Sequence, residues 1–194
     1  MITRQRFDSI KEKYGYVASW AIWAKEGETP KSNMGDMSVL DPDIDKNLLS
    51  KLNPNIVLVA LNFADDIDHK VWEVFHKYRR EGTDFKTRFA LRDTPLWGAY
   101  MTDILKNYPE VDSKKVRAHL KKHPELEQKN VEGFRQELKD IGSENPRLVA
   151  FGNTVHEILK RNLGEFEIIK IPHYAHRINK ETYREQIKDI LKNF

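Results

Sequence analysis

The hydrophobic pattern along the chain is dominated by Asn55-Ile56-Val57-Leu58-Val59-Ala60-Leu61-Asn62-Phe63-Ala64-Asp65-Asp66. The apolar residues from Ile56 to Leu61 do not alternate with polar ones, which is the pattern of a strand buried on both faces of a parallel sheet. The run ends in a polar corner, and apolar positions recur at helical spacing in Val71, Val74, Phe75 and Tyr78. The pattern predicts strand, loop and helix, the helix running from about 67 to 80. Three further strands are predicted at 101–105, 147–151 and 167–171.

Between these strands the spacing predicts helices. Thr3 caps a first helix carrying Phe7, Ile10 and Tyr14, and Gly15 ends it. Tyr16 to Trp23 fits a strand or a buried coil equally, and 26–35 is a loop punctuated by Gly27, Pro30 and Gly35. A short helix over 43–52 should turn Ile44, Leu48, Leu49 and Leu52 inward. Thr83 to Asp93 reads as irregular, anchored by Phe85 and Phe89, and Pro95 suits the first turn of a helix capped by Thr94. Helices follow from Asp112 or Ser113 to His123, from Pro124 to Gly142, after Gly152-Asn153, and over the stripe Tyr183, Ile187, Ile190, Leu191 and Phe194. Strands alternating with helices, without hairpin dipeptides, argue for a three-layer α/β/α fold around a mostly parallel sheet of four or five strands. The chain reads as one domain over 1–194, with 1–54 packed on it as a helical and loop extension.

Composition narrows the function classes. Among 194 residues there is no cysteine, so disulfides, cysteine-ligated zinc and thiol catalysis are excluded. The net charge of +3 is too small to argue for nucleic acid by itself. No apolar stretch approaches the roughly 20 residues of a membrane span, and the first residues lack a signal core. A soluble, cytoplasmic protein without a membrane partner is the expectation. There is no Gly-x-x-x-x-Gly-Lys and no Gly-x-Gly-x-x-Gly sequence, so nucleotide hydrolysis and nicotinamide chemistry lose support. His119 and His123 have i, i+4 spacing, but flanking lysines and the lack of a nearby carboxylate argue against a metal. No metal or cofactor is expected.

If the sheet is parallel, three strand ends converge. They bring Asn62, Asp65 and Asp66, then Asp103, then His173 and His176 to one rim. Amide, carboxylate and imidazole together suit water activation and stabilisation of a leaving anion. Asp65 or Asp66 can equally cap the following helix. The run Ser113-Lys114-Lys115-Val116-Arg117-Ala118-His119-Leu120-Lys121-Lys122-His123 carries five fixed cations and no acid. It reads either as a phosphate clamp or as a solvated helix face. The pairs Trp20/Trp23 and Trp72/Trp97 suit core or pocket wall.

In order and spacing, residues 55–180 resemble the uracil-DNA glycosylase superfamily. The elements that carry the resemblance are Ala60-Leu61-Asn62-Phe63-Ala64, Tyr100-Met101-Thr102-Asp103-Ile104, Leu148-Val149-Ala150-Phe151-Gly152-Asn153 and Ile171-Pro172-His173-Tyr174-Ala175-His176-Arg177-Ile178-Asn179. The resemblance implies that Asn62 positions water, that Phe63 or a neighbouring ring such as Tyr174 stacks on a base, that Asp103 reads the base edge and that His173 meets the departing base. Asn153 joins Lys106 and Arg177 as a phosphate contact. The chain departs from the family pattern at Ala60 for Gly, Phe63 for Pro, Tyr174 for Pro, Ala175 for Ser and Asp103 for Asn. An anionic carboxylate at 103 accepts but cannot donate, which disfavours a uracil carbonyl. The implied function is hydrolysis of a nucleobase N-glycosidic bond in DNA. The alternatives are a non-catalytic module binding nucleic acid or nucleotide on the same fold, and a small-molecule pocket.

Overall fold

The computed structural model describes residues 1–63, 70–77, 82–106, 108–192 and 194. Five strands, β1 (Ala18–Trp20), β2 (Asn53–Asn62), β3 (Ala99–Leu105), β4 (Arg147–Phe151) and β5 (Ile168–Ile171), form one sheet in the order β1-β3-β2-β4-β5. All neighbours are parallel except β1, which pairs antiparallel with β3 through Ala18 opposite Thr102 and Trp20 opposite Tyr100. The four strands expected from the apolar runs are present. The undecided stretch before Trp23 supplies the edge strand.

Strand parity separates two cores. Val57, Val59, Leu61, Tyr100, Ile104, Leu148 and Ala150 face α1 (Arg4–Tyr14), α4 (Ser113–Lys122), α5 (Pro124–Asp140) and α6 (Gly152–Asn162). Ile56, Leu58, Ala60, Met101, Val149, Phe151 and Ile171 face α3 (Asp84–Leu91) and α7 (Lys180–Leu191). Successive side chains on a strand point to opposite faces, so a strand covered on both sides must be apolar throughout. This gives the three layers. Thr3 accepts from the Arg6 amide at the start of α1, and Asp112 accepts from the Lys114 amide at the start of α4.

Several elements differ from expectation. Residues 70–77 are turns rather than helix, with positive φ at Trp72 (64°) and Phe75 (69°). Their backbone groups go to tertiary partners: the Trp72 amide donates to the Gly15 carbonyl, while Ser19 Oγ and Trp23 Nε1 donate to the carbonyls of Trp72 and Phe75. A helix would need those same groups. The remainder of the predicted 67–80 helix, 67–69 and 78–80, lies outside the described residues. Residues 84–91, read as irregular, form α3. Its buried positions include Lys86, Thr87 and Arg88, so polar residue types conceal its inward stripe. Residues 94–98 are turns, not helix; Thr94 Oγ1 accepts from the Leu96 amide and donates to the Leu91 carbonyl. The 43–52 helix shrinks to α2 (Leu48–Lys51), and Ile44, expected inward, is exposed.

Gly98 connects this turn to β3 with φ +85°, and a Cβ there would lie 2.0 Å from the Lys51 carbonyl oxygen. Both the backbone region and the contact require glycine. Gly98→Ala should lower stability by more than about 3 kcal/mol, as measured by urea denaturation.

Candidate functional site

Strand β2 leads to β3 on one side, whereas β4 leads to β5 on the other. The crevice between the carboxyl ends of β2 and β4 is therefore the place where the winding reverses, and open parallel sheets bind ligands at such points. A cleft of about 600 Å³ lies there. Asn62, Phe63, Asp103, Asn153, His173, Tyr174 and His176 all line it. These residues, from four segments far apart in sequence, come together as the sequence predicts. Asp65 and Asp66 lie outside the described residues.

Residue parity builds the floor. Ala60 pairs with Asp103 across β2 and β3, and Val59 pairs with Ala150 across β2 and β4. Asp103, Ala60 and Phe151 thus form a row of carboxyl, methyl and phenyl across three adjacent strands, on the face covered by α3 and α7. The small Ala60 side chain leaves room between its two neighbours. Asp103 is 2% exposed, and its carboxyl makes no hydrogen bond among the described residues. Burial is the main cause that pushes its pKa up to about 7; Lys106 works against this and Glu137 with it. Asp103 therefore changes charge near neutral pH. Contrary to the expectation of a fixed anion, its protonated form can donate as well as accept.

His173 follows β5 on a loop held at both ends. Tyr183 of α7 donates to the Pro172 carbonyl at 3.0 Å, and Lys86 of α3 donates to the His176 carbonyl at 2.8 Å. The Ala175 amide donates to His173 Nδ1 at 3.1 Å, so the neutral ring carries its proton on Nε2. Burial first, and then the nearby His176, lower the His173 pKa to about 4. The imidazole is a neutral donor at pH 7. Tyr174 stacks on it at 4.4 Å between ring centroids, and Phe151 meets Tyr174 edge-on at 5.3 Å. The cleft wall is thus a cluster of rings.

Asn62 is placed differently from its expected role. Its side-chain Nδ2 donates to the carbonyls of Phe63, Tyr108 and Glu110, each at 2.8 Å. Three acceptors around one atom identify it as the amide nitrogen. Asn62 ties the end of β2 to the 108–110 segment, which leaves Oδ1 as its polar atom for other partners.

The three phosphate candidates separate. Asn153 lines the cleft and accepts from Lys170 at 3.0 Å. Arg177 is exposed and lies outside the lining. Lys106 turns to the opposite face of the sheet, where its ammonium sits 3.0 Å from the buried Glu137 carboxylate and also bonds Thr102 Oγ1 and the Asp103 carbonyl. Glu137 also accepts from the Tyr100 and Thr102 hydroxyls. A buried carboxylate needs this compensation, and Lys106 supplies the charge. Lys106 is therefore a structural partner of α5, not a phosphate contact.

Sequence reasoning missed the rest of the lining. Gly82, Thr83 and Asp84 at the start of α3, Ser113 at the start of α4, and Gly152 and Thr154 at the start of α6 all border the cleft. Neither Thr83 at the start of α3 nor Phe151 at the start of α6 gives its helix a side-chain cap. Their first amides give this rim a partial positive charge. Gly152, at φ +83°, lets the chain turn from β4 into α6 in one residue. Phe75 and Lys77 also line the cleft. Among the described residues, no group of three or more His, Asp or Glu side chains could hold a metal ion.

Asn62→Ala should cost about 2 kcal/mol in chemical denaturation, because it leaves three carbonyls without their donor. The raised pKa of Asp103 also has a sign. The folded state keeps its proton up to about pH 7, whereas the unfolded chain releases it near 3.8. Stability is therefore present at low pH and lost as pH rises through this window. Relative to the wild type, Asp103→Asn should gain stability on the order of 4 kcal/mol between pH 4 and 7, because each pKa unit is worth about 1.4 kcal/mol. Denaturation curves at a series of pH values check this.

No family model matches the chain, and comparison with characterised proteins and with solved structures likewise finds no match.

Proposed function

We propose that the cleft binds a nucleobase and that the protein is a divergent uracil-DNA glycosylase-like enzyme hydrolysing an N-glycosidic bond in DNA. The observation that carries this reading is the ring-walled cleft lined by both the Asp103 carboxyl and the neutral, loop-fixed His173 imidazole, with Ala60 beside Asp103 in its floor. A flat heterocycle suits a slot with aromatic walls and a small floor. Its edge meets Asp103, whose carboxyl, when protonated, complements an edge presenting an adjacent donor and acceptor. As the carbon–nitrogen bond breaks, the bonding pair stays with the base and the sugar becomes cationic. His173 Nε2–H stabilises the negative charge that develops on the base. Water held at Asn62 Oδ1 adds to the sugar carbon, and its proton ends on the released base.

A second reading has one observation of its own. The Asn62 amide is engaged by three carbonyls, as a purely structural tie would be. This favours a module that binds a nucleic acid or nucleotide without cleaving it.

Oligonucleotides carrying uracil, hypoxanthine, xanthine or a mismatched base distinguish the two. The first reading expects an abasic product from at least one of them, lost by more than about 100-fold in His173→Ala. Ala60→Leu should fill the slot and abolish cleavage and base-dependent binding, at a cost of about 1–3 kcal/mol in stability. Binding of the same oligonucleotides without any abasic product, beside an active control enzyme, would establish the second reading instead.

A further inference from the structure

A second groove, of about 430 Å³, runs between α4 and α6 and is bordered by Arg117, Lys121, Glu157 and Arg161. Thr154 lines both this groove and the main cleft, so the two adjoin at the start of α6. Helix α4 buries Val116 and Leu120 and presents its cations outward. Among the described residues, Lys114, Arg117, Lys121 and Lys122 make no ion pair, whereas Arg161 is held in a two-pronged pair with Glu127 that fixes its guanidinium at the groove wall. Glu127 is further bonded by Asn162 at 2.7 Å, so its charge is compensated. Glu157, which makes no ion pair among the described residues, is the groove's other carboxylate.

We propose that this groove is the track for the sugar–phosphate backbone of a single polynucleotide strand, one of whose bases occupies the main cleft. Three observations favour this occupant. Arg117 and Lys121, which make no ion pair among the described residues, line one channel beside the Glu127-paired Arg161, and polyanion binding is driven by such unsatisfied cations. The channel adjoins a ring-walled pocket at Thr154, and a cationic groove beside aromatic rings is the combination that single-strand binders use for backbone and base. The uncapped amides of α6 lie where the two meet and suit a phosphate at the junction. An acidic peptide would satisfy the cations but has no planar group for the pocket. The proposal rests on the nucleobase reading for what enters the cleft, but not on whether cleavage occurs.

The test is fluorescence anisotropy with a labelled single-stranded deoxythymidine oligonucleotide, across roughly 50 to 200 mM salt. Arg117→Gln with Lys121→Gln should weaken binding about tenfold at the lower salt and reduce the log–log salt slope by about 1.4, two contacts at about 0.7 each. Glu157→Gln should tighten binding, and Lys188→Gln on α7, on the far side of the sheet, should change nothing. Equal weakening by the α7 variant, an unchanged salt slope in the double variant, or equally tight binding of a polyglutamate peptide would overturn the proposal. Ala60→Leu separates the two claims: it should remove base-dependent affinity and keep the salt slope. If cleavage fails while the salt slope still follows Arg117 and Lys121, the backbone track stands and the enzymatic reading falls.

Discussion

The central strand β2 has neither a free edge nor a free face. β3 and β4 take its backbone groups on either side, and helices cover both of its surfaces. Such a strand can present chemistry only at its end, because a polar side chain anywhere along it would be buried without a partner. Asn62 marks the point where that restriction lifts. The amide that first appears there is immediately used to fasten the 108–110 segment, so the lip of the cleft is built from the same residue that ends the strand. Of the remaining polar groups, Asp103 sits two residues lower on β3, opposite Ala60, and His173 lies on the loop after β5.

The electrostatics of the cleft follow from its depth. Burial acts on Asp103 and His173 in the same physical sense, against the charged form, but moves their pKa values in opposite directions. At neutral pH the imidazole is uncharged and the carboxyl lies near its midpoint. The floor is thus close to neutral, while the helix starts and the charged side chains of Lys77, Asp84 and Glu110 also line the cleft. Such an arrangement accommodates a weakly polar ring inside. On the opposite face Glu137 requires a full cation, and Lys106 is drawn away from the cleft to provide it.

How much of this was legible in the sequence depended on which force set each element. The four parallel strands were legible because burial on two faces leaves an unbroken apolar run. The convergence of Asn62, Asp103 and His173 was legible because parallel strands place their carboxyl ends at one rim. Helix α3 was not, since Lys86 and Arg88 are buried through hydrogen bonds to backbone carbonyls, and no hydropathy pattern registers that. The 70–77 segment misled in the opposite way: its apolar spacing is helical, but its backbone groups serve β1 and its flanks. Phe151 and Ala60 could have been found by extending strand parity from Asp103 and Asn62. The destination of Lys106 could not, because it depends on a carboxylate 31 residues later in the chain.

Arg88 has a consequence for anyone who reshapes this protein. Its guanidinium is wholly buried and donates to the carbonyls of Ala24, Pro30 and Ser32. The loop that supplies those oxygens looks, from its glycines and proline, like a convenient place to trim residues or splice in a tag. It is instead the solvent shell of an interior cation, made of peptide bonds in place of water. Shortening it would strand that charge in a dry interior, so grafts belong elsewhere on the surface.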